Sequence, residues 1–371
     1  MLLQVCPAAA QELDSIPPST DDQFILHSKV MNEDRSVWVH LPPQYNSSGD
    51  HYPVLYLVDG GKHFPYVKEL ADYLSDFEQP YISPLIVVGI PNVDRGRDLT
   101  PVLKGNKELS VDSGAGKFLD FMKTELIPHI EKNYRTAPYR ILEGHSLGGL
   151  FNIFANAEEP ELFNASIVIS PALSGTETAR KVLEKFTASL KKPGNPARQF
   201  FISLGDEGTG SVDLLTNALK KNANPRTKWS YKKYDGENHF SVPYKSMYDG
   251  LKFIYTGWYI DIFLSHKKIS AADISKHFQK LSSEFGYTIN PTEDFLNQAG
   301  YQQLNAGNYA EAISLFQRNI ELHPRSWNAY DSMGEAFMKA GNKKEAIDNY
   351  KKSLELNPSN TGAMEMLKKL Q

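Results

Sequence analysis

The six residues Gly144-His145-Ser146-Leu147-Gly148-Gly149 constrain this chain more than any other stretch. They follow the strand-like run Arg140 to Glu143 and precede the helical stretch Leu150 to Ala157, so the chain must pass from strand to helix in a tight turn with a serine at its apex. Such a turn strains the serine backbone and lifts its hydroxyl off the sheet edge, and flanking glycines avoid the clashes that larger side chains would cause. The N-terminus of the following helix favours negative charge that develops beside it. The pattern G-x-S-x-G in this setting makes Ser146 the candidate nucleophile.

The surrounding sequence carries the same fold signal. Between Phe24 and Trp258, short β-branched or aromatic runs alternate with amphipathic stretches, as in a sheet built from βαβ units. The strand-like runs are Val37 to Leu41, Val54 to Val58, Leu85 to Ile90, Arg140 to Glu143, Ser166 to Ile169, Phe200 to Leu204 and Trp229 to Tyr234. Phe64 to Phe77 and Lys117 to Tyr134 show helical spacing; in the second, Phe118, Met122, Leu126 and Ile130 share a face and Pro128 is expected to kink the end. The expectation is an α/β-hydrolase fold with a mostly parallel central sheet, followed by a small all-α repeat domain.

A serine hydroxyl needs a base, and the base an orienting carboxylate; in this fold they follow the serine in the order acid, then histidine. Of the histidines after Ser146, only His239 lies inside the α/β pattern, in the polar turn Asp235 to Ser241. The acid belongs on the loop after Phe200 to Leu204, where Asp206 and Glu207 compete. Glu207 is favoured, because the shorter Asp206 suits a loop turn. The oxyanion donors are expected to be the backbone N–H groups of Leu147 and of Gly61 in the run Val58 to His63. Arg95 and Arg97 are candidate substrate contacts, with structural ion pairs to Asp94 or Asp98 as the alternative.

The C-terminal third repeats itself. Shifting the chain by 34 residues matches Gly300 with Gly334, Ala306-Gly307-Asn308 with Ala340-Gly341-Asn342, Glu311-Ala312-Ile313 with Glu345-Ala346-Ile347, and Pro324 with Pro358. That period and pattern resemble the tetratricopeptide repeat. Two repeats are fewer than usually stand alone, so Ala271 to Phe285 is expected to pack on them as a connecting helix and Thr361 to Leu370 to cap them. The expected organisation is 1–22 as a signal remnant or disordered start, 23–265 as the hydrolase domain, 266–292 as a helical linker and 293–371 as the repeats. The repeats either stabilise the fold, mediate self-association or bind a protein partner.

Composition narrows the partners. A net charge of −4 with interspersed signs gives no basic stripe for nucleic acid, and no apolar run approaches a membrane span. The single Cys6 leaves no disulfide framework. The start MLLQVCPAAAQE reads as the end of a secretory signal or as a frayed terminus; the first implies a periplasmic or secreted protein and the second a cytoplasmic one.

The runs Leu55 to Gly60, Asp94 to Pro101, Phe118 to Phe121, Gly144 to Phe151 and Glu237 to Pro243 together resemble the esterase D and enterochelin-esterase-like family, over roughly Phe24 to Trp258. The resemblance implies hydrolysis of carboxylic esters, among them siderophore esters, acyl-carbohydrates and simple aryl esters, with no metal or organic cofactor. It also implies the nucleophile, base and oxyanion roles for Ser146, His239, Leu147 and Gly61. The expected substrate is a small-molecule ester. Acyl transfer to an alcohol would use the same residues, and a repeat-based interaction protein with the hydrolase unit as scaffold is the reading from a different class.

Overall fold

The computed structural model describes residues 21–46, 48–75, 80–103, 109–110, 112–260 and 269–370. Eight strands form one sheet in the order β1-β2-β4-β3-β5-β6-β7-β8. They are β1 (Asp21–Ser28), β2 (Glu33–His40), β3 (Tyr52–Leu57), β4 (Ile86–Gly89), β5 (Thr136–His145), β6 (Ala165–Ile169), β7 (Gln199–Leu204) and β8 (Lys228–Lys233). The pairings β1/β2 and β2/β4 are antiparallel; from β4 to β8 every pair is parallel.

The alternation within β3 shows how the sheet is covered. Val54 and Tyr56 join one buried cluster with Phe118, Phe151, Ile153 and Phe186, while Leu55 and Leu57 join the opposite one with Phe64, Val67, Met247 and Leu251. The second layer is made by α1 (Gly60–Leu74) and α8 (Val242–Ile254). The first draws on α3 (Gly114–Phe121), α4 (Ile127–Asn133), α5 (Leu147–Glu158), α6 (Glu177–Leu190) and α7 (Gly210–Asn222), with the short α2 (Arg95–Leu99) at the end of the sheet. Both faces are apolar and covered, so the central strands read as continuous apolar runs.

Two expectations are corrected here. The chain enters the sheet earlier than expected, because Asp21 and Asp22 belong to β1 rather than to a leader; Asp21 accepts a hydrogen bond from His40 at 2.7 Å and Asp22 one from the Tyr134 hydroxyl at 2.6 Å. The rest of the expected leader, residues 1–20, lies outside the described residues. The irregularity near Pro128 falls upstream of the proline, as a π-helical turn over Met122–Leu126 joining α3 to α4. Pro128 has no N–H to give, and the Ile127 N–H is displaced to the Met122 carbonyl, five residues back.

After α8, helix α9 (Ala271–Phe285) leads into α10 (Glu293–Asn305), α11 (Tyr309–Leu322), α12 (Trp327–Lys339), α13 (Lys343–Leu356) and α14 (Thr361–Leu370). Helices α12 and α13 reproduce the bounds of α10 and α11 at the 34-residue shift. Close helix approach explains the small residues: a Cβ on Gly300 would lie 2.4 Å from Phe316, and one on Gly334 2.9 Å from Tyr350. Phe285 at the end of α9 packs on Tyr139, Tyr255 and Trp258, whereas Ile274 near its start packs with Phe295, Leu296 and Leu315 of the repeats. Among the described residues no helix is long and apolar enough to cross a membrane.

Candidate active site

The parallel strands β3, β5, β6 and β7 end on the same edge of the sheet, and the loops that leave them carry the candidate residues. Ser146 stands between β5 and α5 with φ of 60° and ψ of −116°, a conformation that costs a non-glycine residue strain. Its N–H donates to Ile169 and its carbonyl accepts from Ala172, so β6 and the loop after it hold the strained turn on both sides. A Cβ on Gly144 would fall 2.1 Å from the Gly148 carbonyl oxygen, and one on Gly149 2.8 Å from Pro171; the two glycines are what let the helix start so close to the strand.

His239 lies in the loop after β8. Its Nδ1–H donates to Glu207 Oε2 at 3.0 Å, and both side chains are 29% exposed. Donation from Nδ1 leaves Nε2 as the acceptor nitrogen. Among the described residues no hydrogen bond joins Nε2 to Ser146 Oγ, as is common before substrate tightens such a site. Of the two competing carboxylates, Glu207 is the one bonded to the imidazole; Asp206 accepts from Lys233 at 3.0 Å and is 68% exposed.

Several residues that hold this arrangement escaped the sequence reading. Ser170, itself at φ 39°, donates from Oγ to Glu207 Oε1 at 2.8 Å and accepts from the Gly205 N–H, fixing the carboxylate from the side opposite His239. His145 donates from Nε2 to the His239 carbonyl at 2.7 Å, which ties the histidine loop to the residue before Ser146. Burial, reinforced by the neighbouring His239 and His63, pushes His145 down to about 3, so it works as a neutral donor. His63 in turn donates to the buried Glu143 at 2.9 Å; burial lowers its proton affinity, but the Glu143 carboxylate outweighs that and holds it above the ordinary histidine value. A serine directly after an apolar strand at Ser170-Pro171 was the only signal of the first of these, and the His in G-H-S of the second.

The two amides expected as oxyanion donors lie in first helical turns. Leu147 opens α5 and Gly61 is the second residue of α1; among the described residues neither amide has a backbone acceptor. The glycine that packing requires in this loop is Gly60, where a Cβ would meet Ile90 N at 2.2 Å.

The arginines are occupied by ion pairs: Arg97 holds Asp98, one of the two partners expected, together with Glu33, whereas Arg95 holds Asp59 instead. Arg95 grips Asp59 with both ends of its guanidinium, at 2.7 and 2.9 Å, and also donates to the His145 carbonyl at 3.2 Å. Asn92 completes the Asp59 carboxylate at 2.6 Å. Arg97 binds Glu33 at 2.6 and 2.8 Å and Asp98 at 2.7 Å, where Asp98 is the fully buried partner of Arg35. Buried carboxylates must be compensated, and these guanidinium groups do it.

The chain is similar to known proteins over most of its length. The family described as "Putative esterase" matches residues 28–248, and the tetratricopeptide repeat matches 328–360. The ferri-bacillibactin esterase BesA of Bacillus subtilis is 28% identical over 184 residues, which is 44% of this chain and 64% of that protein. The crystal structure of an IroE-like serine hydrolase from Shewanella oneidensis aligns with a TM-score of 0.66 at 27% identity, covering 82% of this chain and 99% of that one. An uncharacterised protein from Capnocytophaga ochracea, 14% identical, covers 95% of this chain and 99% of its own with a TM-score of 0.65, so the fold extends to the helical region as well.

Proposed function

The chain belongs to the esterase family, and from that premise we propose that it cleaves carboxylic esters through an acyl-enzyme on Ser146, with His239 as general base and Glu207 as the carboxylate that orients it. Ser146 Oγ attacks the carbonyl carbon while its proton passes to His239 Nε2. The amides of Leu147 and Gly61 receive the oxyanion, in a place where helix N-termini already favour negative charge. Collapse breaks the bond to the alcohol, which leaves with the proton from His239. Water then repeats the sequence on the acyl group, releasing the acid and restoring the serine.

The observation that carries this reading is the 3.0 Å bond from His239 Nδ1 to Glu207, on the same sheet edge as a serine held at φ 60°. BesA by its name acts on ferri-bacillibactin, so siderophore esters belong in the first substrate panel beside simple aryl esters. For the helical region, the tetratricopeptide match supports a protein-binding surface. The test is turnover of a p-nitrophenyl ester series by wild type and Ser146→Ala. Hydrolysis by the first and none by the second is expected; a wild type inert on every ester ends the esterase mechanism.

A further inference from the structure

Lys62 has no part in the reaction just described, yet it sits between two of its components. It follows Gly61 directly, and its ammonium lies 5.7 Å from the centroid of the Phe240 ring, the residue after His239. Its charge disfavours protonation of both His63 and His145, the latter next to Ser146, so its field reaches the site.

Other charges on the elements that follow this edge of the sheet are already matched. Arg95 is held by Asp59, Arg97 by Glu33 and Asp98, Lys233 by Asp206, and Lys245 by Glu237. The anions are equally engaged: Glu207 by His239 and Ser170, Glu143 by His63. Lys62 is exposed and has no carboxylate partner among the described residues. A cation over an exposed aromatic face is held only weakly, which leaves its charge available to a ligand. The surface beside it is aromatic as well: Phe240 is 76% and Tyr244 58% exposed, and Tyr244 rests 5.5 Å from the Tyr66 ring.

From this placement we propose, on the basis of the esterase reading above, that Lys62 determines specificity by selecting esters whose alcohol portion is an aromatic ring bearing a negative charge. The side of the ester follows from the chemistry. The leaving oxygen must face His239, which protonates it, and Lys62 stands over the ring of the adjoining residue, so the group it meets belongs to the departing alcohol. Phe240 and Tyr244 offer faces on which that ring can stack.

The experiment compares kcat/KM for two acetates, that of 4-hydroxybenzoate, which is anionic, and that of methyl 4-hydroxybenzoate, its neutral counterpart. The readout is their ratio, which cancels any shift of the adjoining Gly61 amide. Lys62→Ala is expected to lower the anionic-to-neutral ratio about fivefold, the upper range for an exposed charge pair. Lys62→Glu is expected to lower it further, Lys62→Arg to restore it, and added salt to shrink the wild-type ratio. A ratio unchanged in Lys62→Ala and Lys62→Glu, with both acetates cleaved, overturns the role of Lys62 and leaves the esterase mechanism standing. A wild type inert on both acetates and on p-nitrophenyl acetate overturns the mechanism itself and this inference with it.

Discussion

Replacing Glu207 by Gln removes the negative charge that His239 leans on while keeping the shape of the side chain. The bond at stake is charge-assisted, and such bonds contribute about 1.5–3 kcal/mol. If that interaction is felt in full as the imidazole becomes charged, kcat/KM falls about 10- to 150-fold. Both partners are 29% exposed, so water supplies part of what the carboxylate gives and the lower half of that range is expected. Asp206→Asn is the matched control. Its partner is Lys233 on the surface, and a change within about twofold is expected there. The assay is the initial rate on a short-chain p-nitrophenyl ester, with circular dichroism to establish that each variant is folded. A Glu207→Gln enzyme within twofold of wild type would mean that Ser146 and His239 suffice, and a larger loss in Asp206→Asn would mean that the wrong carboxylate has been assigned.

Three further outcomes follow from the same geometry. Ser170→Ala deletes the hydroxyl that holds Glu207 Oε1 and should lower kcat about fivefold, corresponding to about 1 kcal/mol, with KM little changed; an unaltered kcat refutes a positioning role. Gly334→Ala drives a methyl group to 2.9 Å from the buried Tyr350 ring and should cost about 1–3 kcal/mol, read as a lowered Tm, and an unchanged Tm would show that the helices part without strain. His145 is neutral in the folded protein down to about pH 3 but takes a proton in the unfolded chain below about 6.5, so it has no effect above that value and destabilises increasingly as pH falls toward 3, by up to about 1.4 kcal/mol per pH unit. His145→Gln should flatten that part of the stability curve measured by urea unfolding, and a curve of unchanged slope refutes the assignment.

What the sequence disclosed depended on how local each signal was. The central strands were legible because both faces of the sheet are buried and apolar residues therefore follow one another, as Ile86, Val87 and Val88 do in β4. Strand β1 was not, since most of its side chains are exposed and its pairing with β2 is antiparallel at the sheet edge. The repeats could be read almost to the residue, because their code is a period. In the candidate site, Ser146 announced itself by the glycines that its own turn demands, and His239 by elimination. Ser170 and Glu207 are 37 residues apart, and Arg95 and Asp59 are 36 apart; such pairings depend on which strand ends become neighbours, and only the assembled sheet determines that.

Helix α9 is shared property. Its Leu281 and Phe285 are bricks in the same wall as Tyr139, Met247 and Tyr255, and its Ile274 belongs to the masonry of the first repeat. Cutting the chain ahead of α9 would therefore not release a self-sufficient catalytic unit; it would strip large apolar groups from the sheet's own interior and wet the aromatic rings they cover. Heat should meet the two regions as one body, with catalysis and the helical array lost over the same few degrees. A partner seated on the array would then tighten the hydrolytic half without touching it, simply by holding shut the joint on which both depend.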